Sequence, residues 1–295
     1  MSVPTRPDRQ PDHSTEPAVY RVGGYREYPA PPDLHHLVDG VWIHHTTPGP
    51  VGPAAAHRVV AEHAVNLCYV ATRGPDGTLA GSALALFGPV RTVRFYRPAA
   101  GQCLAAVRIK LEWCRELLGL SPGDHLDAMD DFTGIDRVAG VELLDRLNGA
   151  SSHRQALSIL IDFVRGRAGR MQVPGGTDMV HRGLETIRGL RGVTRLGPLS
   201  SRLGVTDRHF RRLVSQTIGV EPGAFVRVQR FHALLREADR HPRPNWAGLA
   251  AAHGYADQAH MIRDVREMCG LTPVALHRER RAEGEGVNGA VAGEH

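Results

Sequence analysis

The chain has 295 residues, a formal net charge of +5, 42% hydrophobic residues and 23% charged ones. That length suits two domains, and the composition supports ordinary globular cores and excludes a disordered polyelectrolyte. No run of about eighteen apolar residues is present, which excludes a membrane-spanning helix. The N-terminal segment, rich in Pro, Asp and Arg, lacks the apolar stretch of a secretory signal.

In chain order, residues 1–18 are proline-rich and charged and are expected to be disordered. Residues 19–109 read as β structure, in short runs rich in β-branched and aromatic residues: Val41-Trp42-Ile43, 65–70, 84–87 and 90–95. The last of these alternates apolar and polar with period two, as a half-buried strand does. Gly74-Pro75-Asp76-Gly77 is a turn signal between two runs. Short strands at this spacing predict a small barrel or sandwich, and one inward apolar face predicts a mostly apolar pocket. From Lys110 the spacing becomes helical: Leu111, Cys114, Leu117 and Leu118, then Val138, Val141, Leu144 and Leu147, then Ala156, Ile159, Leu160, Phe163 and Val164. Residues 19–165 thus form one expected domain, β-rich with trailing helices. Residues 166–177, with three glycines and Pro174 after Gly166, are the expected linker.

Residues 178–281 read as helix throughout and carry the excess charge. They hold 18 basic and 10 acidic residues, residues 1–177 are balanced, and the expected disordered tail 282–295 adds three glutamates. A basic segment joined to a neutral one points to a polyanion-binding module. Lys110 is the only lysine; in a chain this rich in Ala and Gly that reflects base composition rather than function.

An internal repeat lies in the basic segment. Leu199 and Gly204 of the first copy map onto Leu249 and Gly254 of the second; after one extra residue, Phe210, Arg212, Val214, Gly219 and Pro222 map onto Met261, Arg263, Val265, Gly270 and Pro273. In the first copy Pro198 opens a short helix, Gly204 supplies the turn, Thr206 caps the next helix and Gly219 ends it. Phe210, Leu213, Val214 and Thr217 form its packing stripe, while Arg208, Arg211, Arg212 and Ser215 form the opposite one at i, i+3, i+4 and i+7. In the second copy Asp257 is the cap, Met261, Ile262, Val265 and Met268 face inwards, and Gln258, His260 and Arg263 face outwards. A short helix, a glycine turn and a second helix with a basic face is a helix-turn-helix, whose second helix enters the major groove. The expected DNA-contacting residues are Arg208, Arg211, Arg212, Ser215, Gln258, His260 and Arg263, with 206–218 and 257–269 as recognition helices. Arg212 and Arg263 hold equivalent places and suit guanine or phosphate; Gln258 suits adenine. Three arginines in the first copy predict that it binds the more strongly.

These motifs, Arg208-x-Phe210-x-Arg212 with Gly219-Val220-x-Pro222 and then Gly254-Tyr255, Met261-x-Arg263 and Gly270-x-Thr272-Pro273, resemble the DNA-binding domain of AraC/XylS-type bacterial transcription regulators. The resemblance covers about a third of the chain and implies two helix-turn-helix units joined by a long helix, here near 222–238. The sequence departs from the family's usual Phe at Val214 and Val265. The N-terminal region is more weakly similar to the cupin-like sensor that many such regulators carry, through Pro31-Pro32-Asp33-Leu34, Val38-Asp39-Gly40-Val41-Trp42 and Phe87-Gly88-Pro89. The expected fold is therefore α+β in two domains, a β-rich cupin-like sensor followed by an all-α tandem helix-turn-helix.

No catalytic, metal or cofactor site is expected. His35, His36, His44, His45, His57 and His63, with Glu62, cluster in the N-terminal half, but adjacent histidines on a strand face opposite ways and cannot share one ion. No nucleophile elbow or phosphate loop is present. Cys68, Cys103, Cys114 and Cys269 never approach a C-x-x-C spacing, so they read as reduced core residues of a cytoplasmic chain. The expected function is that of a sequence-specific regulator, not an enzyme, with double-stranded DNA as partner and no membrane. RNA polymerase, a small-molecule effector in the N-terminal domain and a second copy of the chain are the further partners this reading admits. The competing class is a β-barrel metalloenzyme or isomerase with an accessory helical domain.

Overall fold

The computed structural model describes residues 24–46, 56–171 and 178–290. The segment 1–18 and residues 172–177, half of the expected linker, lie outside the described residues, and the linker's first residues are helical as far as Ala168. The β half comprises β1 (Arg26–Pro29), β2 (Val38–His45), β3 (His57–Val59), β4 (Ala64–Arg73), β5 (Leu79–Phe87), β6 (Arg94–Tyr96), β7 (Gln102–Lys110) and β8 (Met129–Asp131). Six of them form an antiparallel sheet in the order β1-β2-β7-β4-β5-β8, and β3 pairs with β6 in a separate two-stranded ribbon.

The central strands show little alternation in burial because both faces are covered. Val65, Leu67, Tyr69, Cys103, Ala105, Val107 and Ile109 face one core, while Cys68, Val70, Leu104 and Ala106 face the other way. The run 90–95 is not one strand. Only Arg94–Tyr96 is extended, and Val90 makes an isolated bridge to Glu62. The alternation there reflects a ribbon edge folded over the sheet.

The expected helix at 111–118 is divided. A 3-10 turn, Leu111–Trp113, leads into the short α1 (Cys114–Leu118), closed by Gly119 in the left-handed region. A second 3-10 turn, Pro122–His125, follows, then α2 (Phe132–Ile135), α3 (Arg137–Asn148) and α4 (His153–Ala168). Asp136 and Ser152 cap α3 and α4 through their side chains. Val138 and Val141 do not face the core; they are 72% and 54% exposed. The helix packs instead through Gly140, Leu143 and Leu147, because a side chain at Gly140 would lie 2.9 Å from the Thr133 Cα.

The helical half comprises α5 (Asp178–Gly189), α6 (Leu196–Arg202), α7 (Asp207–Ile218), α8 (Pro222–Asp239), α9 (Trp246–Ala252), α10 (Gln258–Cys269) and α11 (Pro273–Ala290). The first helix of the first unit starts at Leu196, so Pro198 sits within its first turn. The two halves share their cores. Val180, Leu184, Ile187, Phe210, Val214, Ile218 and Phe225 belong to the same apolar cluster as the sheet, and Ala61 of the β half belongs to the cluster formed by α8, α9, α10 and Leu276. No helix among the described residues is long and apolar enough to cross a membrane.

Candidate nucleic-acid interface

Each unit is built by the same local chemistry. In the first, Gly204 adopts φ +76° at the turn and Thr206 accepts a hydrogen bond from the His209 amide at 3.2 Å, capping α7. In the second, Gly254 adopts φ +69° and Asp257 accepts from the His260 amide at 2.6 Å, capping α10. Both helices have 12 residues and end at a left-handed glycine, Gly219 or Gly270. Phe210, Val214 and Ile218 bury one face of α7, and Met261, Val265 and Met268 bury the corresponding face of α10. The valines where the family usually has Phe are fully buried.

The opposite faces are open. Arg208 and Arg212 are exposed and Ser215 is half-buried; on α10, Gln258 and Arg263 are exposed and His260 is half-buried. Arg212 donates from Nη2 to His209 Nδ1 at 3.2 Å, which leaves the rest of its guanidinium open. His260 lies edge-on to Tyr255, with ring centroids 5.4 Å apart. Arg211 is committed elsewhere. Its Nε reaches Asp207 at 2.8 Å and its Nη1 reaches Glu221 at 2.5 Å, while Glu221 also caps α8 through the Gly223 and Ala224 amides. Of the three expected arginines, two, Arg208 and Arg212, therefore have no carboxylate partner among the described residues.

The repeat register exposes a residue missed in the sequence. Arg266 holds in α10 the place that Ser215 holds in α7, and it is exposed. Asp264 and Glu267 of the same helix are both engaged by Arg227, each at 2.7 Å, so they do not neutralise Arg263 and Arg266. Each unit presents two arginines on equivalent faces.

A family profile of helix-turn-helix domains matches residues 199–279. Invasion protein InvF of Salmonella typhi, and likewise that of Salmonella typhimurium, is 34% identical over 74 residues. The C-terminal region is an AraC-type helix-turn-helix domain. The match to InvF covers 25% of this chain and 33% of the relative, so the chain spans about a third of the length of the curated relatives it matches. Across solved structures, ToxT from Vibrio cholerae O395 aligns over 81% of this chain and 96% of its own at 7% identity and a TM-score of 0.42. An unsaturated fatty acid-bound ToxT from strain SCE256 aligns over 80% and 94% at 9% identity and a TM-score of 0.41. Likeness at that level assigns nothing to this chain.

The AraC-type domain is anchored to the β half at three places. Glu112, 3% exposed, is held by both terminal nitrogens of Arg188 from α5, Nη2 to Oε2 at 2.7 Å. Burial pushes the Glu112 carboxyl up, but the Arg188 charge and hydrogen bonds outweigh it and hold the group below its usual range. Beside this pair the Trp113 ring stacks on His181 at 3.9 Å. At the end of α7, Gly219 meets Gly123 backbone to backbone: a side chain at 219 would lie 2.1 Å from the Gly123 Cα. The third anchor belongs to the β3–β6 ribbon. Arg58 donates to the Cys269 carbonyl at 2.8 Å and pairs with Glu279 at 2.8 Å, the Ala61 amide donates to the Met268 carbonyl, and His232 bonds the Ala61 carbonyl at 2.8 Å. The ribbon thus grips the last residues of α10.

That ribbon is also one wall of a cavity of about 440 Å³ in the β half, the pocket expected from the strand pattern. Trp42, His44, Leu104 and Arg108 line it from the sheet, and His57, Phe95 and Tyr96 from the ribbon. Of the clustered histidines only His44 and His57 line it. His45 stacks on His153 at 5.6 Å and His63 on Phe225 at 5.9 Å.

Proposed function

We propose that this chain is a sequence-specific DNA-binding transcription regulator whose β half holds a small-molecule effector. The observation that carries the reading is the pair of recognition helices in one register, each presenting two arginines free of carboxylates among the described residues: Arg208 and Arg212 on α7, Arg263 and Arg266 on α10. Ser215, Gln258 and His260 complete the two DNA-facing surfaces. Arginines on the outer face of a second helix reach base edges or phosphates once that helix lies in the major groove. The effector part rests on the cavity and on its shared wall with the contact to α10, because an effector changes DNA affinity only through differential binding to two states.

The test uses the full chain and a duplex from the intergenic DNA beside its own gene, compared with a random duplex, at several salt concentrations. Affinity should be tighter for the first duplex and fall steeply with salt, because neutralised phosphates release counterions. A folded chain without DNA affinity at low salt refutes the proposal.

A further inference from the structure

Five aromatic side chains, Tyr25, Trp42, Phe87, Phe95 and Tyr96, surround the cavity of about 440 Å³. The polar groups among them are nearly all satisfied from within. Trp42 donates to Asn66 at 2.8 Å, Asn66 donates to Glu62 at 3.0 Å, and Tyr96 donates to Gln102. The charges are matched too. Arg108 lies between Glu27 and Glu62, and Asp127 pairs with Arg91 and Arg94. Arg97 is exposed.

Two groups do not fit this pattern. His44 Nε2 and His57 Nδ1 are buried and have no hydrogen-bond partner, and their rings stand 5.3 Å apart on the cavity wall. Arg94 Nε and Arg108 Nε are also without a hydrogen bond, but their guanidiniums already face Asp127 and Glu62. A buried polar nitrogen without a partner is costly and marks a place where a ligand atom belongs. Burial lowers His44 to about 4 and lowers His57 as well, so both imidazoles are neutral near pH 7. A neutral imidazole offers one acceptor and one donor nitrogen. Two of them side by side on one wall suit a group that both donates and accepts.

We propose that the cavity takes an uncharged aromatic molecule carrying a hydroxyl group, with its rings among the five aromatic side chains and its hydroxyl bridging His44 and His57. A charged ligand is disfavoured, because every interior charge already has a partner and an added ion would be buried uncompensated. The inference rests on the reading of the β half as an effector domain and names the class of its effector. The hydroxyl contact also lies beside the grip on DNA-reading helix α10, since His57 is followed by Arg58, which holds the Cys269 carbonyl.

The test measures calorimetric binding of three probes to the full chain: naphthol, naphthalene and naphthoate. Two new hydrogen bonds to otherwise unpaired nitrogens should make naphthol bind about tenfold or more tightly than naphthalene, and naphthoate should bind more weakly than naphthol. His44→Phe and His57→Phe should each reduce the preference of naphthol over naphthalene. Because His44 is deeply buried, His57→Gln, checked for folding by circular dichroism, provides the same readout from the less buried partner. Equal binding of naphthol and naphthalene, tighter binding of naphthoate, or binding of none overturns the proposal. DNA affinity of the same ligand-free preparation is measured separately, so a failed regulator reading is distinguished from a failed ligand class.

Discussion

Replacing Glu112 with glutamine removes one charge from the most deeply buried ion pair between the two halves. The Glu112 side chain is 2% exposed and that of Arg188 12%; the guanidinium also lies over Phe225 at 5.2 Å. Leaving one partner of a buried pair uncompensated costs about 3–5 kcal/mol. Glutamine keeps the shape and one acceptor oxygen, and Asp39, 3.8 Å from Arg188, takes up part of the charge. The expected loss is therefore near the lower end, about 3 kcal/mol, a sizeable share of a total stability of about 5–15 kcal/mol. Urea unfolding followed by far-ultraviolet circular dichroism and by tryptophan fluorescence, with Trp113 at the junction as reporter, should show the midpoint falling by about 1 M for a slope of about 3 kcal/mol/M. The effect depends on pH. The Glu112 carboxyl is held below its usual value of 4.5 in the folded chain, so its contribution is complete above that value and is lost as pH falls through the folded-state value. The wild type and variant should converge in acid. Glu112→Gln with Arg188→Met should recover much of the loss, because an apolar replacement leaves no buried charge. A loss below about 0.5 kcal/mol, or strictly additive single losses in the double variant, would refute the claim that this pair couples the halves.

Arg212→Ala and Arg263→Ala should each cost about 1–3 kcal/mol of DNA affinity if they read bases, and footprinting should show relaxed preference in two different blocks about ten base pairs apart. Loss in the same block argues against tandem docking. Arg211→Ala should change DNA affinity little and lower stability by about 0.5–1 kcal/mol through its two half-exposed carboxylate partners, which a footprint and a melting curve would separate. Gly219→Ala should destabilise by about 2 kcal/mol or more, from the left-handed φ of +69° and from the clash with Gly123. A melting temperature within about 1 °C of wild type argues against that close approach. Arg58→Ala should speed hydrogen exchange at the end of α10, around Met268 and Cys269, more than in α7; equal changes in both helices would count against the ribbon as a local clamp.

The recognition helices were legible because their physics is local. Thr206 and Asp257 announce the caps, Gly219 and Gly270 the ends, and the apolar residues repeat at helical spacing, so the structure places both helices within one residue of the expected bounds. The role of Arg211 was not legible. The i, i+4 spacing from Asp207 allowed one partner, but Glu221 comes from the next helix, and pattern alone cannot weigh an ion pair against an open face. Arg266 was legible in principle, since the repeat register that carries Arg212 onto Arg263 also carries Ser215 onto it.

The junction between the halves could not be read, because its residues carry no local signature. Glu112 and Arg188 are 76 positions apart; in sequence each is an ordinary charge on a helical stretch, and only the fold removes both from water. Gly219 reads as the glycine that ends a helix, and its second role, letting its backbone touch that of Gly123, needs a partner far along the chain. The two anchors have different consequences. The first unit meets the β half through residues 112–123 and shares the apolar core on one face of the sheet. The second is gripped by the β3–β6 ribbon, which closes the cavity on the other face. A ligand that presses on the ribbon therefore acts first on the seat of α10 and leaves the Glu112–Arg188 junction behind α7 in place. The ribbon is the cavity's direct link to α10, while residues 127–129 of its lining follow the turn whose Gly123 meets the end of α7.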